Sequence, residues 1–297
     1  MLELTFLGTG SMVPTSKRNH SGIFLTYRDE GILFDCGEGI QRQLRIAKIS
    51  PTKITKIIIS HWHGDHVLGI PGLIQSLGSN NYNKTLEVYG PKGTKKFMEK
   101  ILCAFICEDK INLMVKEVTK KKFIDTKYFY IEAKKLNHST ETLGYSFIEK
   151  DRLKINKSYI AKFGLNNNPI LKNLQNGKDI KWKNKTIKVK DATKIKKGKK
   201  VTILMDTGIC KSCYELAKDS DLLISEATYD KTFKEKAKKY KHLTSEQAAE
   251  IAKKSNVKKL ILTHFSQRYK TTNQLKIQAK KIFSKVNCAK DFMKISL

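Results

Sequence analysis

Short apolar runs rich in β-branched residues recur along the chain, at residues 2–7, 31–34, 56–59, 86–89, 127–133, 201–205, 222–224 and 259–262. Their lengths suit strands. Between some of them the apolar positions take helical spacing, over residues 67–77, 93–107, 212–218, 245–254 and 274–283. Pro71 and Gly72 weaken the first of these helices. Strand runs mixed with helices predict α/β sheets covered by helices. With 297 residues the chain can bury a large core, as one big domain or two small ones.

One stretch breaks the pattern. Residues 150–197 alternate lysine with single apolar residues and include Asn166-Asn167-Asn168-Pro169. They hold 15 Lys or Arg against 3 Asp, a net of +12 out of the chain's +30. The segment reads as a basic arm inserted into a single domain spanning 1–297; a solvated surface hairpin is the plainer alternative. A hydrophobic content of 40% rules out a disordered basic tail, and the charge favours a polyanionic partner such as nucleic acid or an acidic membrane surface. A composition biased to lysine is the other source such a charge can have.

No window approaches the ~18 apolar residues of a membrane span. Met1-Leu2-Glu3-Leu4 lacks a basic segment ahead of an apolar stretch, so no signal peptide is expected. The cysteines at 36, 103, 107, 210, 213 and 288 read as reduced thiols of a cytoplasmic protein. Cys210-x-x-Cys213 has a spacing used by zinc sites and redox pairs, but with no partner CxxC it reads as ordinary packing or local structure.

The chemistry concentrates where the run 56–59 ends. His61-Trp62-His63-Gly64-Asp65-His66 places three imidazoles and a carboxylate within six residues. Packing so many polar ring nitrogens together is hard to satisfy without a cation. The H-x-H spacing turns alternate side chains to one side of an extended segment, and the Asp-His pair can face a second ion. Imidazole with carboxylate suits zinc, with manganese or iron as possible occupants. Three more polar residues follow apolar runs: His138, Asp206 and His264. In layered α/β folds, sites collect along such strand ends. Five of the seven histidines are then used; His242 stands at a helix start, and His20 is given no role.

These residues have the spacing of the metallo-β-lactamase superfamily, and within it the chain closely resembles the ribonuclease Z family of tRNA 3′-processing endonucleases. The ordered set includes Phe6-Leu7-Gly8-Thr9-Gly10, Pro14-Thr15-Ser16-Lys17-Arg18-Asn19, Phe34-Asp35-Cys36-Gly37-Glu38-Gly39 and the histidine box. Val88-Tyr89-Gly90-Pro91-Lys92-Gly93, Asp206-Thr207-Gly208, Glu226-Ala227-Thr228, His242-Leu243-Thr244 and Leu262-Thr263-His264 complete it. The resemblance implies an αββα sandwich with a flexible basic arm, two zinc ions per subunit, and a homodimer that grips precursor tRNA. One zinc would be held by His61, His63 and His138, the other by Asp65, His66 and His264, with Asp206 bridging and Asp35 supporting. Asp65 would accept a proton from the attacking water, His242 would serve the leaving 3′ oxygen or stabilise the phosphate, and Glu226 would orient its ring. Lys17, Arg18 and Asn19 would meet the substrate. The expected products are a tRNA with a 3′-hydroxyl and a trailer with a 5′-phosphate.

The chain departs from the family in its arm, where Asn168 replaces the glycine of a Gly-Pro pair, and in Lys17 standing directly before Arg18. Rival activities fit less well. High positive charge argues against a thioester or lactam substrate. Only 57 residues separate Asp206 from His264, too few for the inserted domain of β-CASP nucleases. Flavo-diiron enzymes carry Glu where His63 stands. A phosphodiesterase acting on other RNA or on small phosphodiesters shares the metal site and is the alternative. A binder that kept the fold without the chemistry is disfavoured by the complete ligand set.

Overall fold

Two seven-stranded sheets face each other, and each carries its own helices on the outer side. The computed structural model describes residues 2–106 and 111–297, so Cys107, at the end of the helix expected over 93–107, lies outside the described residues. The first sheet runs, in spatial order, Lys294–Ser296, Leu2–Gly8, Gly22–Tyr27, Glu30–Phe34, Lys56–Ile58, Thr85–Gly90 and Asn112–Glu117. The second runs Val286–Cys288, Leu260–Thr263, Leu222–Glu226, Lys200–Leu204, Leu143–Glu149, Phe129–Lys135 and Lys122–Asp125. The inner faces meet through aromatic rings: Tyr27 with Phe147 at 5.4 Å between centroids, and Phe34 with Tyr145 at 6.2 Å. On the outer face of the first sheet, Ile40, Leu44, Ile70, Leu73, Ile74 and Leu77 pack from helices Ile40–Ile46 and Ile70–Gly78. On the second, Cys213, Leu216, Ala248, Ala249, Ile251 and Leu275 pack from helices Lys211–Ala217, Ser245–Lys254 and Asn273–Lys280. This is the expected αββα sandwich.

The helix expected over 67–77 is two pieces, Gly64–Val67 and Ile70–Gly78. Pro71 stands in the first turn of the second piece, where its missing N–H costs no helical hydrogen bond. Strand Leu143–Glu149 was hidden from the pattern by small and polar residues. A Cβ on Gly144 would meet Leu136, Leu204 and Leu216 at 3.0 Å, and buried Ser146 bonds Thr202 at 2.7 Å. Both are demands of close packing, not of exposure.

The chain divides into two compact units, residues 1–124, 131–147 and 200–297 in one, and 125–130 with 148–199 in the other. The basic segment 150–197 falls in the second. There, strand Arg152–Ile155 pairs antiparallel with Thr193–Lys196, and Ile180–Trp182 with Lys185–Ile187. Short helices Lys157–Ala161 and Leu171–Gln175 enclose a small core of Ile160, Leu165, Leu174, Ile180, Ile187 and Ala192. The indole N–H of Trp182 donates to the Phe163 carbonyl at 3.1 Å. The alternation of lysine with apolar residues is thus a two-sided surface, apolar inward and charged outward. Among the described residues no helix is long and apolar enough to cross a membrane.

Candidate metal centre

Parallel pairing sets up the site. Lys200–Leu204, Leu222–Glu226 and Leu260–Thr263 are parallel neighbours, with Leu204 opposite Ser225 and Glu226 opposite Thr263. Asp206 and His264 therefore leave the sheet side by side, next to Glu226. On the first sheet, Lys56–Ile58 is parallel to both its neighbours and runs out into Ile59, Ser60 and His61. His63 then caps helix Gly64–Val67 in an extended conformation, and Asp65 and His66 lie in that helix. The Trp62 indole donates to Thr94 Oγ1 at 2.9 Å and anchors the box.

The seven expected ligands fall into two groups, and His242 forms a third with Asp206 and His264. His61, His63, His138 and Asp206 present atoms within 4.8 Å of one another, as do Asp65, His66 and His264. Asp206 belongs to both by its geometry. Its Oδ2 lies 3.7 Å from His61 Nε2 and 3.8 Å from His138 Nε2. Its Oδ1 lies 3.1 Å from His264 Nε2 and 3.5 Å from His66 Nε2. Asp65 Oδ2 is 3.4 Å from both His66 Nε2 and His264 Nε2.

The far ring nitrogens of His138, His66 and His264 are held by polar partners, which fixes which nitrogen faces inward, whereas His63 turns Nδ1 inward, 2.9 Å from His61 Nε2. His138 Nδ1 donates to the Lys241 carbonyl at 3.1 Å. His66 Nδ1 meets Asp35 Oδ2 at 2.7 Å, and His264 Nδ1 meets Thr228 Oγ1 at 3.0 Å. Asp35 also accepts from the Ser60 N–H at 2.7 Å and the Ser60 hydroxyl at 2.8 Å. With a proton kept on Nδ1, the inward Nε2 of a neutral ring turns a lone pair toward the centre. His66 Nε2 and Asp206 Oδ1 are buried with no hydrogen-bond partner. Leaving such groups unpaired is costly, so a cation between them is what this donor set fits.

The charges bear this out. Burial opposes ionisation of Asp206, yet the surrounding rings of His264, His66 and His242 hold it well below the usual carboxylate range. Burial likewise opposes a charge on His66, but Asp65, Asp206 and Asp35 push it well above the usual histidine range. His61 is held well below that range, first by burial and then by the charge of His66. An unfilled cluster therefore keeps its carboxylates charged and holds protons on some rings, where cations can replace them.

Beside the cluster, His242 Nδ1 sits 3.0 Å from Glu226 Oε1. Fully buried Glu226 also accepts from the Thr207 N–H and the Thr228 hydroxyl, each at 2.7 Å. Burial disfavours the charged ring, but Glu226 and Asp206 outweigh it and raise His242 to about 9. The position of His242 comes from the next helix, whose cap Thr244 forms a reciprocal capping box with Gln247.

The loop containing Lys17, Arg18 and Asn19 reaches the site through the backbone of Met12. Lys17 is exposed. The Arg18 guanidinium donates to the Tyr269 carbonyl at 2.5 Å, and the Asn19 amide to the Glu38 carbonyl at 2.7 Å. Gly8 permits this approach, since a Cβ there would fall 1.7 Å from the His20 carbonyl oxygen. His20, to which the pattern gave no role, bonds the Met12 carbonyl at 2.9 Å, and the Met12 N–H donates to Asp65 Oδ2 at 2.8 Å. Ser60, Thr228 and the Lys241 carbonyl are further orienting groups that the pattern did not single out. Ser60 and Lys241 each adjoin a histidine of the site, and that adjacency is the one signal the sequence offered for them.

The family model described as Anti-Pycsar protein Apyc1 matches residues 2–160, the part that carries the histidine box and His138. Ribonuclease Z of Nanoarchaeum equitans is 41% identical over 89% of this chain and 83% of its own length. Ribonuclease Z of Methanothermobacter thermautotrophicus is 38% identical over 100% of this chain and 97% of its own. Among solved structures, the short form of human tRNase Z superposes with a TM-score of 0.71 at 29% identity, over 99% of this chain and 98% of that one. With the two-group cluster and the paired sheets, these likenesses make the chain a member of the ribonuclease Z family, the metal-dependent endoribonucleases of metallo-β-lactamase fold.

Proposed function

We propose that this chain removes 3′ trailers from tRNA precursors with two zinc ions per subunit, leaving a 3′-hydroxyl on the tRNA and a 5′-phosphate on the trailer. The observation that carries the reading is the division of Asp206, one carboxylate oxygen toward each ligand group. His61, His63 and His138 would hold one ion, Asp65, His66 and His264 the other. A donor set dominated by imidazole favours zinc over magnesium or calcium. When bound, such a pair supplies Lewis acidity, lowering the pKa of water from about 15.7 toward 7 and drawing charge from phosphoryl oxygens.

The protein's own groups do the rest. Asp65, steadied by the Met12 N–H, accepts the proton of the attacking water. His242 has its Nδ1 committed to Glu226, so Nε2 is the nitrogen that gives a proton to the departing 3′ oxygen. Glu226 keeps that ring protonated and aligned. Lys17, Arg18 and Asn19 would meet the substrate, with exposed Lys17 the side chain open to a phosphate. The basic unit containing 150–197 grips the tRNA body, and a homodimer supplies each site with an arm. The compartment is cytoplasmic, in keeping with reduced thiols.

Deleting residues 150–197 tests the substrate. Affinity for precursor tRNA should fall by on the order of a hundredfold, with loss of much of the steep salt dependence that released counterions produce. Turnover of a small phosphodiester such as bis-p-nitrophenyl phosphate should stay within about twofold, an effect of well under 1 kcal/mol. Equal loss of both activities would show that the segment is needed for the fold and not for RNA.

A further inference from the structure

Cys210 and Cys213 bring their sulfurs to 3.4 Å, and both are free thiols. They are unequal. Cys213 is fully buried in the core of the second sheet, whereas Cys210 is only partly covered. Their surroundings lead straight to the site. Thr207 Oγ1 is 4.0 Å from Cys213 Sγ and accepts from the Asn137 N–H at 3.1 Å. The Asn137 carbonyl in turn accepts from the Gly208 N–H at 2.8 Å. Asn137 precedes His138, and Thr207 and Gly208 follow Asp206. The cysteine pair thus stands behind the two loops that present His138 and Asp206.

A structural zinc site does not explain the pair, because among the described residues no third histidine, cysteine or carboxylate ligand atom groups with these sulfurs. A disulfide needs the sulfurs at about 2.05 Å, so they must close by about 1.4 Å. We propose that Cys210 and Cys213 form a reversible dithiol–disulfide site whose oxidation displaces the Asp206 and His138 loops and lowers turnover. A hydroperoxide is the oxidant class. The Cys210 thiolate attacks the peroxide, forming an S–O bond as the O–O bond breaks, and the departing hydroxide takes up a proton as water. The Cys213 sulfur then bonds to Cys210, the S–O bond breaks, and the hydroxyl leaves as water with the Cys213 proton. Two thiols are oxidised by two electrons and one hydrogen peroxide is reduced to two waters. The order follows exposure, the accessible sulfur attacking first. The hydrogen bond from Cys213, against the opposing effect of burial, draws Cys210 down to about 6, which suits an attacking thiolate.

The effect on turnover rests on the activity proposed above, but formation of the bond does not. Zinc-loaded protein is treated with hydrogen peroxide and mapped by mass spectrometry without reduction. The expected result is loss of two hydrogens within a peptide joining 210 and 213. Cleavage of precursor tRNA should fall by about a hundredfold, the scale on which ångström displacements act, and return with dithiothreitol. Cys210→Ser should keep its activity and lose the response to peroxide. The proposal is overturned if 210 and 213 stay reduced while exposed Cys103 oxidises. It is equally overturned if the disulfide forms with turnover unchanged, or if peroxide inhibits Cys210→Ser as strongly as wild type. Inability of the untreated protein to cut the precursor would instead count against the substrate assignment and leave the mass result standing.

Discussion

Asp65→Ala is expected to lower precursor cleavage by about 10⁴-fold, the upper end of what a positioned proton acceptor contributes, or about 5 kcal/mol in the barrier. Two effects combine. The carboxylate that lies 3.4 Å from both His66 Nε2 and His264 Nε2 is lost, and so is the proposed acceptor of the attacking water's proton. Affinity for the precursor should change little, because the phosphate contacts assigned to the basic unit do not involve Asp65. Asp65→Asn separates fold from chemistry. The amide oxygen can still accept from the Met12 N–H, so this variant should fold as the wild type does and remain inactive. The assignment fails if either variant, saturated with zinc by elemental analysis, turns over near the wild-type rate in a single-turnover assay.

Removing metal with a chelator should take turnover to background and leave a folded protein of lower stability. The cluster is buried, and among the described residues His66 Nε2 and Asp206 Oδ1 find no hydrogen-bond partner. Cations that satisfy them bind only the native state. At a free concentration a thousand times Kd, a single site stabilises by about 4 kcal/mol, on the order of 10 °C in Tm for a chain of this size. The fold should survive because protons can take the place of cations. His66, held well above its usual range by three carboxylates, stays charged and offsets part of their repulsion. Calorimetry with and without zinc measures the shift, and zinc alone should restore both Tm and cleavage. Full activity in protein shown to be free of metal would contradict the mechanism.

The site was more legible in the sequence than the sheets that build it. His61 to His66 are contiguous, so their density alone marked a cation site, and His138, Asp206 and His264 each follow an apolar run. All are among the residues brought together. The pattern also left out strand Gly22–Tyr27, although five of its six residues are buried, but most of what it missed depends on contacts between distant segments. Edge strand Asn112–Glu117 has no fully buried residue, and Lys294–Ser296 has only its central Ile295 inward, so pairing rather than hydrophobicity makes them strands. Ser60 and Thr228 are common polar residues, and nothing local shows that one will meet Asp35 and the other Glu226 and His264. His20 acts through the backbone of Met12, eight residues away, a relation created by the loop and not by any spacing.

Mapping the ends produced when zinc-loaded protein meets a precursor tRNA with a 3′ trailer tests the central claim most directly. The account predicts one cut beside the discriminator base, a tRNA fragment ending in a 3′-hydroxyl and a trailer beginning with a 5′-phosphate. An intact precursor after incubation with fully metal-loaded protein, or cuts scattered along the tRNA body, would contradict it.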